Sequence, residues 1–242
     1  MSALVAVALV GVALIVTGLE DALGRVETAA FKDGTRRTAR RIAVVGVAVI
    51  AGGVALLVAV ALSSAVAAAA LSVVLLPFLH WRGRYLLGSD GADRMLSVVL
   101  LLGVIGTVAS FADPVVVSLW GWTVVVVVGA AYAESAVAKM RVPSWRRGRA
   151  LALIMNTPEL GERRSARLLL NHPRVTFVVS WGVIIVEAAA LPVFIVGGWP
   201  LFTIVGCLLV LHVGIAVSMG LGRFFWAFAA ALALVIAAHP GL

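Results

Sequence analysis

Five ionisable side chains fall inside or at the edges of long apolar runs, where a charge without a partner is costly: Glu134, Lys139, Glu187, His212 and Arg223. Carboxylates, amines and imidazoles hold and transfer protons, so acid–base work is the chemistry such a set could perform. Glu187 lies about halfway along the run 175–197, and His212 is similarly deep in the run 200–219 that follows. Consecutive antiparallel helices would bring the two to the same depth, which predicts a Glu187–His212 contact. That contact is either a hydrogen-bonded pair that fixes helix packing or a proton-handling pair. Lys139 closes its apolar run next to Arg141, a position that also suits a basic anchor reaching for the membrane surface. Glu134 precedes it by five residues, an offset of about 140° on a helix, so the two share no face.

Other reactive types say less. Cys207 stands alone in an apolar run, which leaves no intramolecular disulfide and predicts a small packing residue. Gly88-Ser89-Asp90-Gly91-Ala92-Asp93 begins like a calcium loop but has neither the next alternate oxygen ligand nor a closing glutamate. It predicts a turn with Asp90 or Asp93 near the amino end of a helix, and no metal site.

The elements that must position these groups follow from composition. With 63% apolar and 12% charged residues, the chain is too poor in charge for an ordinary soluble domain. A membrane span needs roughly 20 mostly apolar residues, and the runs that qualify are 2–18, 42–78, 95–112, 115–138, 175–197, 200–219 and 221–238. The run 42–78 is about two spans long, and Ser63 and Ser64 at its midpoint favour a turn there. The expectation is an all-α, polytopic membrane helical bundle of about eight transmembrane helices, a single membrane domain over 1–242 with both termini outside.

Charge tests that count independently. With eight helices, all 19 Lys and Arg residues fall in the four loops on one side, which the bias of basic residues assigns to the inside. Reading 42–78 as one span would strand the six basic residues of the first loop, Arg25 to Arg41, on the opposite side from the rest. Trp120, Trp122 and Trp199 then sit at outer span ends, and Trp81 and Trp145 at inner ends. The net charge of +8 borders apolar spans, so it implies attraction to anionic lipid rather than to nucleic acid. The first run lacks a basic leader, since Arg25 follows it, and reads as a span rather than a signal peptide. The basic segment 140–174 interleaves leucine with arginine and predicts short amphipathic helices on the cytoplasmic surface, divided by Pro158 and Gly161 and bounded by Pro143 and Pro173. A plasma (inner) membrane location follows from these features together.

Three blocks in the carboxyl-terminal half, 120–240, carry a resemblance. They are Ser135-Ala136-Val137-Ala138-Lys139-Met140 followed by Trp145-Arg146-Arg147-Gly148; Asn171-His172-Pro173 leading into Ser180-Trp181 and on to Glu187; and Leu211-His212 leading through Gly220 into Phe224-Phe225-Trp226. In order and spacing they resemble the membrane domain of the vitamin K-dependent gamma-carboxylase family, the HTTM superfamily. The resemblance implies that Lys139 is the base acting on a quinone-type cofactor, with Glu187 and His212 as catalytic partners and Trp145 and Trp181 beside the cofactor. A base needs an amine with a free lone pair. The chain ends soon after its last span, without the large soluble portion of the carboxylases. The small bacterial members that help mature exported peptides, such as the sporulation-delaying toxin, are therefore the nearer functional relatives.

Three functions follow as expectations: a component that matures or handles a small secreted peptide, with a protein partner docking on the basic inner loops; a quinone-dependent redox enzyme using Lys139; or a non-catalytic assembly or transporter subunit. The topology that underlies all three is open to a direct test. In a Cys207→Ser background, Ser63→Cys is expected to react with an impermeant thiol reagent from outside, and Arg147→Cys only after permeabilisation. Labelling of both from one side overturns the eight-helix topology.

Overall fold

A chain this apolar must satisfy its backbone hydrogen bonds within each spanning segment, and the helix does so without neighbours. The computed structural model describes residues 2–20, 36–62, 66, 69–70, 72–73, 75–76, 91–157 and 163–242. Among them the regular structure is helical, in ten elements: α1 (Ser2–Glu20), α2 (Arg36–Ala61), α3 (Gly91–Ala109), α4 (Pro114–Arg141), α5 (Pro143–Arg146), α6 (Ala150–Met155), α7 (Arg163–Asn171), α8 (Pro173–Val196), α9 (Gly198–Met219) and α10 (Gly222–Ala238). Five contain stretches long and apolar enough to cross a membrane: Val44–Ala61 of α2, and α3, α4, α8 and α9 in full. Val7–Glu20 of α1 and α10 add shorter apolar helices. The protein is an all-α polytopic membrane bundle.

The long run 42–78 turns back on itself. A Cβ on Gly52 would lie 2.6 Å from Leu75 Cδ2, whereas one straight helix would hold these residues about 35 Å apart. Helical backbone is present at 66 and at the described positions through 76, and the chain reverses between Gly52 and Leu75. Ser63 and Ser64 lie outside the described residues, as do Asp90, Trp81, Pro158 and Gly161.

Two compact units divide the chain: Met1–Trp120 with Gly222–Ala238, and Gly121–Leu221 with His239–Leu242. In the first, α1 and α2 pack through glycines spaced seven residues apart. A Cβ on Gly18 would lie 2.5 Å from Gly46 O, and one on Gly53 2.6 Å from Gly11 O. Where lipid is as apolar as leucine, such close backbone approach supplies the packing that holds helices together. α10, although inside the stretch 120–240, packs with α1 and α3 through a small-residue face that includes Ala227, Ala230 and Ala231. Its start is fixed by Glu20 at the end of α1, whose Oε1 accepts the Arg223 N–H at 3.1 Å while Oε2 lies 3.5 Å from Arg223 Nε. Arg223, only 1% exposed, thus carries its charge inward beside a carboxylate. In α3, Asp93 occupies the first turn as expected and is buried.

The second unit is punctuated by helix signals that its sequence carries openly. Pro143 and Pro173 begin α5 and α8, where a missing N–H is harmless. Glycines at positive φ, Gly197 (70°) and Gly220 (66°), end α8 and α9. The basic segment forms three short helices, α5, α6 and α7. Beyond α10, His239 Nδ1 accepts the Gly241 N–H at 3.0 Å. The ring's proton is therefore on Nε2, which donates at 2.9 Å to the Phe194 carbonyl, one of the acceptors left open at the end of α8.

Packing at α1–α2 sets the stability of the first unit. Gly53→Val is expected to destabilise the protein by at least the 1–3 kcal/mol (order of magnitude) typical of overpacking, read as a lower unfolding temperature in detergent. Gly214→Ala, where a Cβ meets nothing within 4 Å, should leave it unchanged or slightly raised.

Candidate functional site

Tyr132, Ser135 and Lys139 stand three, four and seven residues apart on α4, which places them on one helix face. Opposite them α8 presents Thr176, Ser180, Ile184, Glu187, Ala190 and Phe194, and α9 presents Leu201, Ile204, Val205, Leu208 and His212. α4 and α8 come close at Gly129, where a Cβ would lie 3.0 Å from Leu191 Cα. All of this geometry lies within the second unit.

At its centre is an ion pair. Lys139 Nζ lies 2.7 Å from Glu187 Oε2 and 2.9 Å from Oε1, and it donates to Ser135 Oγ at 2.6 Å. Ser135 in turn donates to Glu187 Oε1 at 3.3 Å. An ammonium has three N–H donors, and the carboxylate and the hydroxyl take all three. The side chains are 18% and 8% exposed, so little water helps to screen either charge. The Trp145 ring lies 5.4 Å from Nζ and adds its electron-rich face to the same cation.

A second polar pair sits one to two turns away on the same face of α4. Tyr132 Oη and His212 Nε2 are 3.1 Å apart and both residues are buried. The Phe194 ring meets Tyr132 edge-on, with centroids 6.3 Å apart. The anticipated Glu187–His212 contact is therefore replaced by two pairs, Glu187 with Lys139 and His212 with Tyr132. A carboxylate bonds an ammonium in preference to a neutral ring, and Lys139 reaches it because lysine side chains on a helix lean towards the amino end, away from the surface.

The other candidate site residues that the structure describes are placed apart from one another. Trp181 Nε1 donates to Arg146 O at 3.2 Å, tying α8 to the start of the basic segment. Gly148 has φ 67° and lies against Phe177 so closely that a Cβ would overlap its backbone, which gives the Trp145-Arg146-Arg147-Gly148 block a steric reason. Arg223 belongs to the other unit, with Glu20. Glu134 is exposed and apart from the centre. Cys207 is exposed rather than packed, because the buried face of α9 runs through Val205, Leu208 and His212 instead.

The donor set does not fit a quinone. Lys139, Ser135 and Glu187 are engaged with one another, Tyr132 Oη is taken by His212 Nε2, and Ser180 Oγ is fully buried without a hydrogen bond among the described residues. With all three Lys139 donors taken, the ammonium has none left for the two opposed carbonyls of a quinone ring. Nor does any group of three or more His, Cys, Asp and Glu among the described residues suit a metal ion. Comparison with protein families, curated proteins and solved structures gives no match to this chain.

Removing one partner of a buried pair strands the other, whereas replacing both removes the problem. Glu187→Gln is expected to destabilise the protein by about 3–5 kcal/mol in denaturant unfolding, and the double variant Lys139→Met with Glu187→Leu by far less. Equal losses in single and double variants would show that the two side chains are not coupled.

Proposed function

We propose that this membrane protein is a small member of the HTTM kind that matures or handles a small exported peptide, with Lys139 and Glu187 as its proton-handling pair. The observation that carries the reading is the Lys139–Ser135–Glu187 triangle. It gathers, between two apolar helices, the lysine and the acidic residue that the resemblance marks as functional. Charged groups inside spans are by default candidates for function, and here they are paired to each other in a way that permits proton exchange. Transfer of one proton from Nζ to Oε2 across 2.7 Å leaves a neutral amine and a neutral acid, with no net change of charge in the apolar layer. The amine then has the lone pair needed to take a proton from a bound group, and Glu187 holds the proton that was displaced. Ser135 bridges the two and keeps the geometry fixed during the exchange. The quinone-dependent alternative gains no support from the donor set and is not pursued as a mechanism.

Deleting the gene is expected to change the secreted peptides seen by mass spectrometry under inducing conditions. Complementation with Lys139→Ala or Lys139→Arg should fail by about tenfold or more, with normal amounts of protein in the membrane, because a guanidinium is not usefully deprotonated. Full rescue by Lys139→Arg would reduce the residue to an anchor, and an unchanged peptide profile in the deletion strain would remove the peptide role itself.

A further inference from the structure

Among the described residues, Glu134 is the one ionisable group away from the ends of a candidate span for which the fold provides no hydrogen bond or ion pair. It is exposed on α4 and makes no hydrogen bond or ion pair with any described residue. Its depth is fixed by its neighbours on the same helix. Two residues before it, Tyr132 bonds His212 in the interior of α9, and five residues after it, Lys139 bonds Glu187 in the interior of α8. Glu134 therefore lies about two turns inside the end of α4, level with side chains in the interior of α8 and α9. Nor can it reach the nearer inner surface, because side chains on α4 lean towards its amino end, away from Arg141.

The surface around it is built for close approach. Val127, Ala130, Glu134, Val137 and Ala138 share one exposed face of α4, opposite to the face of Tyr132, Ser135 and Lys139. Ala130 and Ala138 flank the carboxylate one turn away on either side, so a second helix can come near enough to contact it. A lone carboxylate facing hydrocarbon is disfavoured by kilocalories, and a cationic or hydrogen-bond-donating group on a neighbouring span removes that penalty. Among the described residues, no candidate span exposes a basic residue away from its ends that a second copy of this chain could supply.

We propose that this face of α4 is the docking surface for a transmembrane helix of a different protein, one that carries a basic residue inside its span opposite Glu134. The interaction is separate from the chemistry of the Lys139 centre, since the two faces of α4 point in opposite directions. Glu134 selects the partner by charge and the alanines set the distance.

A photo-crosslinking residue in place of Ala130 or Ala138, in the full-length protein in its own membrane, tests this. The expected product is one membrane-spanning peptide with Lys, Arg or His inside its apolar run, and no such product from the same probe at Val178 or Val210. Glu134→Ala should reduce that crosslink about tenfold or more, the loss expected for at least 1.4 kcal/mol. The variant's own unfolding temperature should stay unchanged or rise. Glu134→Lys combined with an acidic replacement of the partner's basic residue should restore the crosslink. Adducts to lipid alone, to a second copy of this chain, or to a span without a basic residue would overturn the proposal, as would an unchanged crosslink or a destabilised fold in Glu134→Ala.

Discussion

An ammonium and a carboxylate 2.7 Å apart between two apolar helices set the terms for the second unit. Neither group is tolerable there alone, so the presence of each dictates the placement of the other. α4 must bring Lys139 to the depth of Glu187, and the small residue Gly129 lets α8 come close enough for that. Ser135 occupies the position one turn before Lys139, the place from which a hydroxyl can accept the third ammonium proton and pass a hydrogen bond to the carboxylate. The Tyr132–His212 pair then extends the same face to α9. Three helices are thus indexed to one another by polar contacts of fixed length, which apolar packing against lipid does not achieve.

The first unit meets the same difficulty by another route. Helices in lipid gain no hydrophobic drive from associating, so they hold together by close packing or by polar bonds. α1 and α2 use glycines at seven-residue spacing, and their backbones approach until a carbonyl fills the place of a Cβ. α10 uses alanines and locks its first turn to Glu20. Here the ion pair of Arg223 sits at helix ends, where it caps and fastens, and the interior stays apolar. In the second unit the polar groups sit mid-span, which is why that unit and not the first reads as the seat of function.

Helical class, span positions and the fold-back of 42–78 were legible from run length and from charge, because both reflect strong constraints: the thickness of the apolar layer and the one-sided retention of basic residues. The contact between Gly52 and Leu75 agrees with the fold-back that run length alone indicated. The candidate site was legible only in part. Lys139, Glu187 and His212 stood out as costly residues, but depth within each run suggested joining Glu187 to His212. What decided otherwise was the reach of Lys139 back along its own helix, a side-chain property that linear depth does not express. Tyr132 and Ser135 were missed although their spacing to Lys139 places all three on one face. Neither is charged, so neither carries the cost that singles out a residue inside an apolar run.

The blocks Trp145-Arg146-Arg147-Gly148 and Ser180-Trp181 acquire physical content from the same geometry. Trp145 lies over the lysine, Gly148 allows the chain to pass against Phe177, and Trp181 fastens the carbonyl of Arg146. These three contacts fix the exit of the chain from α4 relative to α8, and so they fix the register at which Lys139 meets Glu187. A motif residue that touches no reacting group can still be required, because an ion pair in an apolar layer has no solvent to absorb a misplacement of an ångström. The spacing from lysine to tryptophan to glycine is then the length of chain needed to leave α4 and pass against Phe177 in the first turns of α8.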